Sequence, residues 1–241
     1  MNKNRPKFKR ILLKLSGEAL MGKKAFGIDP SVLETVATEI ADLHTLGVEV
    51  GIVIGGGNIF RGLQANAFGV GRVAADHMGM LATVINAIAL GEIFKNIGLE
   101  SKVMTALDIS KAAEPYDREK AVIYLSKKRI VIFGAGTGNP YFTTDTAAAL
   151  RALETDAEVL LKATNVDGVY ETDPKLEPSA KAFSELTYGQ VLQMNLKVMD
   201  LTAVSLAMSQ KLPIIVFNLG KTGNIRKAVS GEKVGTLIKD F

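Results

Sequence analysis

The segment GIVIGGGNIFRG (51–62) sets three consecutive glycines directly behind a run of β-branched residues. Such an apolar run is typical of a strand that is buried on both faces of a sheet. One glycine would be enough for a tight turn, and each further glycine in ordered structure costs roughly 0.5–1 kcal/mol. The triple glycine therefore predicts that an anionic group approaches bare backbone N–H groups where the strand ends, with a plain turn as the alternative.

The composition is typical of a soluble globular protein. The chain has 241 residues, of which 47% are hydrophobic and 22% are charged, and it contains no cysteine. We expect a cytoplasmic protein without a leader peptide or a membrane span. The net charge is +4, but residues 1–10 contribute five basic side chains and no acid. We therefore predict a basic tail (1–10) and a nearly neutral domain (11–241), and nucleic-acid binding is not favoured.

Apolar runs along the chain alternate with helical patterns. The runs predict strands over 10–15, 48–55, 100–106, 129–136, 158–164, 213–218 and 234–239. A helix is predicted to begin behind Asp29 and to end at Gly47, and further helices are predicted over 74–97, 118–128, 145–155 and 196–211. Because most of the strands are apolar on both faces, the sequence predicts a single α/β domain, a three-layer α/β/α sandwich around a mostly parallel sheet.

Four segments that follow predicted strands are rich in glycine or hydroxyl residues. They are KLSGEAL (14–20), GGGNIFRG (55–62), GAGTGNPYFTTDTA (134–147) and NVDGVYETDP (165–174), whose Asp-Gly pair predicts a hairpin. Ligands of open α/β sheets bind at the carboxyl ends of the strands, so we expect a phosphate-bearing ligand there.

Neither standard nucleotide motif is present in these segments. Leu63 and Gln64 stand where a P-loop has Lys and then Ser or Thr, and Asn139 replaces the third glycine of the dinucleotide fingerprint. The glycine-rich segments therefore need another explanation.

Six stretches, in this order and spacing, carry a family pattern. They are KLSGEAL (14–20), GGGNIFRG (55–62), DHMGMLAT (76–83), GTGNPYFTTDTAA (136–148), KATNVDGVYETDP (162–174) and KVMDLTA (197–203). Along essentially the whole chain they resemble the bacterial-type uridylate (UMP) kinases of the amino acid kinase superfamily, with Tyr141 where phenylalanine is common. The resemblance implies transfer of the γ-phosphoryl group of ATP to UMP in pyrimidine nucleotide synthesis, with Mg²⁺ carried by ATP. It also implies a homohexamer that GTP activates and UTP inhibits.

The residue types agree with this chemistry. Phosphoryl transfer between two nucleotides brings many negative charges together, so cations and bare N–H groups are expected at the site. Lys14, at the end of the first strand, is expected to reach the transferring phosphate, with a solvated lysine at a strand end as the alternative. Arg61 either offers a bidentate fork to phosphate or is a plain surface arginine. The resemblance places UMP at Gly56 and ATP at Gly57.

By resemblance, three aspartates complete the site hypothesis, Asp76 in the binding of UMP and Asp145 and Asp200 in catalysis. By resemblance Asp76 holds the ribose of UMP, although its place before a helical run would also suit an N-cap. Asp145 is expected to orient Lys14, again with a helix cap as the alternative, and Asp200 is assigned in the same way.

The resemblance implies three sets of binding residues. ATP is assigned to Lys14, Leu15, Ser16, Gly17, Gly57, Arg61, Thr164, Asn165, Tyr170 and Asp173. UMP is assigned to Gly56, Asp76, Thr137, Gly138, Asn139, Pro140, Tyr141, Phe142, Thr143 and Thr144. GTP activation is assigned to Gly22, Lys23, Lys24, Ala25, Phe26 and Gly27. Without the resemblance, the last set is a polar turn, and the residues after position 164 form an ordinary hairpin.

Other classes of protein stay open. A dinucleotide-dependent oxidoreductase would share the sheet and the glycine loops but lacks the fingerprint. A nucleic-acid-binding protein would use the basic tail and predicts steep salt dependence. A kinase of the same superfamily that acts on an acylated amino acid or carbamate should lack DHMGM and GNPYFTTD. His44 and His77 have no partner at metal-ligand spacing, so a metal site made by the protein alone is not expected.

Overall fold

The centre of the fold is one nine-stranded sheet, in a computed structural model that describes residues 6–61, 69–172, 174, 176, 177 and 179–240. Its strands are β1 (Arg10–Leu15), β2 (Glu49–Ile54), β3 (Ser101–Thr105), β4 (Glu114–Pro115), β5 (Ile130–Gly134), β6 (Val159–Thr164), β7 (Glu185–Leu186), β8 (Ile214–Asn218) and β9 (Thr236–Ile238). The spatial order is β4-β3-β5-β2-β1-β6-β8-β9-β7. Neighbouring strands are parallel except β8 and β9, which run antiparallel.

The helices of the described residues lie on both faces of the sheet. They are α1 (Pro30–Thr45), α2 (Arg72–Asn96), α3 (Arg118–Ser126), α4 (Thr144–Glu154), α5 (Tyr188–Gln193), α6 (Leu201–Ser209), α7 (Asn224–Ser230) and a 3-10 helix (Gly17–Met21). Successive side chains of a strand point to opposite faces. Leu13 of β1 therefore joins the core under α1, α2 and α7, whereas Leu12 joins the core under α3 to α6. The predicted three-layer sandwich with a mostly parallel sheet is confirmed.

All seven predicted strands are present, and the differences concern short elements and helix ends. Strands β4 and β7 have two residues each, and α5 and α7 have six and seven, so none of them is long enough to show a hydrophobic period. The helix predicted over 196–211 begins only at Leu201. Asp200 is its N-cap, because its carboxylate accepts a hydrogen bond from the Ala203 N–H at 3.0 Å.

The hairpin predicted over 165–174 is wrong. The backbone of Tyr170 pairs with Ala182 in an isolated antiparallel bridge, so the partner lies beyond the predicted segment. The glycine of the Asp-Gly pair serves close packing instead of a hairpin turn. A Cβ on Gly168 would lie 2.5 Å from Thr236 Oγ1, and no side chain fits there.

The last residues of the predicted tail are attached to the domain. Strand β1 already begins at Arg10, one residue before the predicted boundary. The Lys7 N–H donates to the Val229 carbonyl at 2.9 Å. The division into a tail and a single domain over 11–241 stays a prediction.

Helix α2 is long and apolar enough to span a membrane by length and composition, and no second such helix occurs among the described residues. Ala87, Leu90 and Phe94 on one side of α2 are buried in the core between α1 and the sheet. We therefore interpret α2 as a core helix.

Candidate active site

The loops that follow β1, β2, β5 and β6 open at one edge of the sheet. These strands are adjacent in the order β5-β2-β1-β6 and are parallel, so their carboxyl ends point the same way. In open α/β sheets, ligands bind outside this edge. The fold therefore brings the described parts of the four glycine-rich or hydroxyl-rich segments to one place.

Two lysines and one aspartate form a buried cluster at the centre of this edge. Lys14 of β1 lies opposite Lys162 of β6 in the parallel register, so both side chains project from the same face, toward α4. Lys14 Nζ lies 2.8 Å from Asp145 Oδ1, and Lys162 Nζ lies 2.7 Å from Asp145 Oδ2. Lys162 also donates to the Val198 carbonyl. Lys14 is only 7% exposed, so this Lys-Asp-Lys cluster is largely shielded from water.

Burial and ion pairing compete in the Lys-Asp-Lys cluster. Burial by itself would raise the pKa of Asp145, but the ammonium groups of Lys14 and Lys162 outweigh it and hold the pKa below its usual value. For Lys162, burial lowers the pKa, and the attraction of Asp145 only partly offsets burial and the repulsion of Lys14. With both lysines protonated, the cluster has a net positive charge and suits an anionic ligand.

Lys162 is absent from the site predicted by sequence. A signal for it exists, because Leu-Leu-Lys occurs both at 12–14 and at 160–162 and places a charge inside two otherwise apolar strands. The sequence does not show that these two strands are neighbours in register. The pairing of β1 with β6 brings Lys162 to the same carboxylate as Lys14.

Asp200 holds the start of the helix that carries Asp145. Thr143 is the N-cap of α4 and its Oγ1 accepts from the Asp145 N–H at 3.0 Å, so the alternative of Asp145 as an N-cap is excluded. The Asp200 carboxylate accepts hydrogen bonds from Oγ1 of Thr143 at 2.5 Å and of Thr146 at 2.9 Å. Asp200 therefore lies behind the Lys-Asp-Lys cluster as a positioning residue for α4.

Close packing between loops accounts for two of the three consecutive glycines. A Cβ on Gly55 would lie 2.7 Å from the Gly17 nitrogen, and one on Gly56 would lie 2.8 Å from a backbone oxygen of α2. A Cβ on Gly17 would in turn lie 2.6 Å from the Gly57 nitrogen, so the loops after β1 and β2 touch backbone to backbone. Gly57 itself is uncrowded, with Glu18 Cγ nearest at 3.6 Å. Packing therefore explains the missing side chains at Gly55 and Gly56, and it leaves the glycine at position 57 unexplained.

Arg61 lies on the solvent side of the same loop. Its Nε donates to the Gly57 carbonyl at 3.1 Å, and its guanidinium pairs with Glu18 at 3.1 Å. A guanidinium has five N–H donors, so donors remain for an anion beside Gly57.

Asp76 fastens the loop after β5 to α2. The helix begins at Arg72 behind the N-cap Gly71, so the alternative of Asp76 as an N-cap is excluded. The Asp76 carboxylate accepts from the Tyr141 N–H at 2.7 Å and from Arg72 Nε at 2.8 Å and 2.9 Å. The Arg72 guanidinium also lies 5.3 Å from the centroid of the Tyr141 ring.

The loop after β5 leaves its aromatic residues exposed. Gly138 and Tyr141 have φ values of 80° and 72°, in the left-handed region that costs energy for a tyrosine. A Cβ on Gly138 would lie 2.9 Å from the Ala106 carbonyl oxygen, so the loop also packs closely on the end of β3. Tyr141 is 66% exposed and Phe142 is exposed beside it. The loop thus presents two rings to solvent next to Asp76.

The other residues assigned to UMP on this loop shape its turn. Thr137 Oγ1 accepts from the Asn139 N–H at 3.2 Å, and Asn139 Nδ2 donates to the Thr137 carbonyl at 3.3 Å. Pro140 continues the turn, and Thr144 is the first residue of α4.

One of the residues assigned to ATP after β6, Asn165, lines a cavity of about 340 Å³. Thr164 ends β6, and its Oγ1 accepts from the Val166 N–H at 3.2 Å. Asn165 lines the cavity together with Glu18 from the 3-10 helix and residues of α1. Tyr170 is half-buried, whereas Asp173 lies outside the described residues. A larger cleft of about 530 Å³ lies between α2 and β3 and contains none of the predicted site residues.

Comparison with models of protein families shows to which family the chain belongs. The model of the amino acid kinase family matches residues 9–218. The chain belongs to the amino acid kinase family. Among solved structures it is similar to the UMP kinase from Bacillus anthracis, at 44% identity and a TM-score of 0.94, over 98% of this chain and 97% of that chain.

Two further solved structures of the family extend this similarity. The UMP kinase from Ureaplasma parvum is 36% identical, with a TM-score of 0.91, over 96% of this chain and 99% of that chain. The uridylate kinase from Archaeoglobus fulgidus is 31% identical, with a TM-score of 0.76, over 95% and 99% of the two chains. The predicted resemblance to the amino acid kinase superfamily is confirmed.

The segment 22–27, which the family resemblance assigns to GTP, is an exposed loop after the 3-10 helix. Lys23, Lys24, Ala25 and Phe26 are exposed. Its last residue is attached to the loop after β2, because the Gly27 N–H donates to a carbonyl there at 2.8 Å.

The described residues contain no group of three or more His, Asp or Glu side chains that could hold a metal ion. His44 Nε2 lies 3.0 Å from the Lys128 carbonyl oxygen, and His77 is exposed on α2. Asp145 is already paired with two lysines.

Proposed function

We propose that this chain is a UMP kinase that transfers the γ-phosphoryl group of ATP to UMP, giving UDP and ADP for pyrimidine nucleotide synthesis. The observation that carries the proposal is the Lys-Asp-Lys cluster, which directs two buried ammonium groups to the place where the loops meet. The 44% and 36% identity to structures named as UMP kinases supports the choice of acceptor. A cytoplasmic location is part of the proposal, and the absence of cysteine suits it.

In the proposed reaction a phosphate oxygen of UMP attacks the γ-phosphorus of MgATP, and the bond from the γ-phosphorus to the bridging oxygen breaks. Negative charge grows on the leaving diphosphate, and Lys14 and Lys162 neutralise charge on the transferring and leaving oxygens. Asp145 holds the two ammonium groups in place. The Mg²⁺ ion arrives with ATP as part of the substrate and keeps most of its water.

The remaining residues divide between donor and acceptor. We assign the backbone of Ser16, Gly17 and Gly57, with Arg61, to the phosphates of ATP, and the cavity beside Asn165 to its nucleoside. We assign Gly56, Asp76 and the loop 137–144 to UMP. The exposed rings of that loop lie next to Asp76, which supports the assignment.

A phosphoacceptor screen with MgATP tests the proposal. UMP, CMP, dTMP, AMP and a set of amino acids are offered under one condition, and ADP release is measured. We expect UMP to be preferred by at least tenfold in kcat/KM, a difference of about 1.4 kcal/mol. Preference for an amino acid would identify another kinase of the family, and the absence of ADP release with every acceptor would overturn the proposal.

The Asp76→Asn variant tests the acceptor side. We expect its KM for UMP to rise several-fold with the KM for ATP nearly unchanged, because a charge that binds one substrate is removed. The amide oxygen of the variant can still accept from the Tyr141 N–H, so the loop keeps its attachment. Steady-state kinetics with each substrate varied in turn measure both constants. An equal rise in both KM values would show that Asp76 only supports the loop.

The Asp145→Asn variant tests whether the enzyme needs a general base. The phosphate of UMP is mostly dianionic above its second pKa of about 6, so no side chain has to remove a proton from it. We expect kcat/KM for UMP to rise through that pKa and then level off, and Asp145→Asn to lower the plateau without moving the inflection. The profiles are measured at saturating MgATP and repeated with a UMP analogue of lower phosphate pKa. If the inflection lay at the same pH with the analogue as with UMP, and disappeared in Asp145→Asn, a side chain of the protein would be the general base.

Regulation by nucleotides is a further part of the proposal. The family resemblance assigns activation by GTP to segment 22–27 and inhibition to UTP. The exposed lysines Lys23 and Lys24 of this segment suit a polyphosphate, which supports the assignment. Addition of GTP or UTP to the screen with UMP measures both effects.

The proposed homohexamer is supported by an apolar stripe on α2. Met78, Leu81 and Ile85 are spaced along one side of the helix and are about half exposed, whereas a soluble monomer rarely leaves such a row uncovered. We expect Leu81→Glu to reduce the mass measured by light scattering, because it places a charge inside an interface. Ile123→Glu, on α3 at the other face of the sheet, is the matched control and should leave the mass unchanged. A Leu81→Glu protein with the mass of the wild type would refute the interface.

A further inference from the structure

Two buried asparagines outside the assigned site pair with each other between α2 and the loop after β2. Asn58 is 1% exposed and Asn86 is fully buried. Asn58 Nδ2 donates to Asn86 Oδ1 at 3.0 Å, and Asn86 Nδ2 donates to Asn58 Oδ1 at 2.7 Å. The two amides therefore form a reciprocal pair away from water, where a polar group without a partner would be costly.

The NH₂ group of each amide also donates a hydrogen bond to a backbone carbonyl of a second segment. Asn58 Nδ2 donates to the Gly27 carbonyl at 3.0 Å, and Asn86 Nδ2 donates to the Gly55 carbonyl at 2.7 Å. The backbone completes the first contact, because the Gly27 N–H donates to the Asn58 carbonyl at 2.8 Å. The pair thus joins three segments: the exposed loop 22–27, the glycine loop 55–57 and α2.

The Asn58 amide also lies where the loops after β1 and β2 pack against each other. Asn58 Oδ1 lies 2.7 Å from the position of a Cβ on Gly17, so any side chain at 17 would displace it. Gly17 and Gly57 are the backbone positions where the phosphates of ATP are proposed to bind. A shift of the Asn58 side chain would therefore change the packing of Gly17 against the loop after β2.

We infer that Asn58 is a positioning residue that couples the conformation of segment 22–27 to the glycine loop, with Asn86 as its support on α2. The inference rests on the proposed function, because it requires the glycine loop to hold the reacting phosphates. In this proposal Asn58 binds no substrate and acts through the Gly27 carbonyl and through Asn86, which in turn donates to the Gly55 carbonyl. Without the Asn58 amide, strain introduced at Gly27 should reach the phosphate site more weakly, because only the backbone hydrogen bond from the Gly27 N–H to the Asn58 carbonyl remains.

A double-mutant cycle tests the coupling. Gly27 has φ 84° with open space around it, so Gly27→Ala strains the backbone without a steric clash. We expect Gly27→Ala to lower kcat with MgATP and UMP by about threefold or more in the wild type, and by less than about 1.5-fold in the Asn58→Ala background. Equal effects in both backgrounds, or no effect in the wild type, would overturn the inference.

A matched control separates coupling from a general loss of stability. Gly47 has φ 75° and equally open space, and it lies at the turn before β2, at the opposite end of that strand from the glycine loop. Gly47→Ala introduces the same type of strain and should change kcat by less than about 1.5-fold in either background. If Gly47→Ala reproduced the pattern of Gly27→Ala, the effect would reflect stability alone and the inference would fail.

Amide hydrogen exchange gives a readout that does not depend on the reaction. Asn58→Asp keeps an oxygen that accepts from Asn86 but loses the N–H that holds Gly27, and it is the second variant if Asn58→Ala does not fold. We expect either variant to accelerate exchange in both 22–27 and 55–58. Acceleration in only one segment would overturn the coupling. A wild type that does not phosphorylate UMP would reject the proposed function, while the exchange data would still decide whether the two segments are coupled.

Discussion

Lys14→Met should lower kcat for UMP phosphorylation by at least two orders of magnitude, while binding of UMP changes little. The variant removes a charge that acts on the transferring phosphate, an interaction worth ~3 kcal/mol or more in the transition state. Methionine has about the size of the lysine stem, so the core around β1 stays filled. Asp145 retains Lys162 at 2.7 Å as its partner, and the buried carboxylate is not left unpaired.

The measurement combines single-turnover rates with UMP binding by calorimetry. Lys127→Met, an exposed lysine directly after α3, is the matched control and should keep the wild-type rate. Thermal unfolding of both variants shows whether the fold is retained. Normal turnover in a folded Lys14→Met protein would remove Lys14 from the mechanism.

Lys162→Met should produce a loss of similar size, about two orders of magnitude in kcat, because Lys162 faces Lys14 across the same carboxylate. This result would test a residue that only the structure adds to the site, since the site predicted from the sequence contains Lys14 but not Lys162. The fall should appear in kcat more than in either KM, as expected for an interaction made in the transition state. A Lys162→Met protein with a changed KM for ATP and an unchanged kcat would restrict Lys162 to binding ATP.

The pH dependence of Lys162→Arg gives a second test of the same residue. Burial lowers the pKa of Lys162 below the ordinary 10.5, and the protonated form is the one that neutralises phosphate. Above the second phosphate pKa of UMP, activity should therefore stay level and should then fall as the pH rises through the lowered pKa of Lys162. Arginine stays protonated throughout this range, so Lys162→Arg should move the alkaline limb upward even if its plateau is lower. If the alkaline limb of Lys162→Arg lay at the same pH as that of the wild type, it would report the titration of the substrate or of another group.

The layered α/β fold could be predicted from the sequence because its main strands are buried on both faces. Runs such as RILLKL (10–15) and EVLLKAT (158–164) have no polar face, and this is a property of parallel strands covered by helices on both sides. The start of α1 could also be predicted, since an aspartate N-cap (Asp29) followed by a proline (Pro30) is typical of a helix N-terminus. Strands β4 and β7, with two residues each, and helices α5 and α7, with six and seven, are too short to establish a hydrophobic period and could not be predicted.

Local signals failed where packing between distant segments decides the structure. The Asp-Gly pair at 167 and 168 has the chemistry of a hairpin turn, yet Gly168 is needed because Thr236 packs against it. Two of the three consecutive glycines have a similar origin. Gly55 and Gly56 are required by the approach of Gly17 and α2, whereas the Cβ position of Gly57 is uncrowded.

By itself the sequence determined the sheet class, the loops that carry the site and the resemblance that names their chemistry, because strand burial and loop motifs are written in consecutive residues. The tertiary structure alone decided that Lys162 joins Lys14 at Asp145, and that Asn58 and Asn86 pair between three segments. Both arrangements depend on which strands are neighbours and in what register. That choice is made by the packing of the whole core, and a side chain that is one lysine or asparagine among many in the sequence acquires its partners only there.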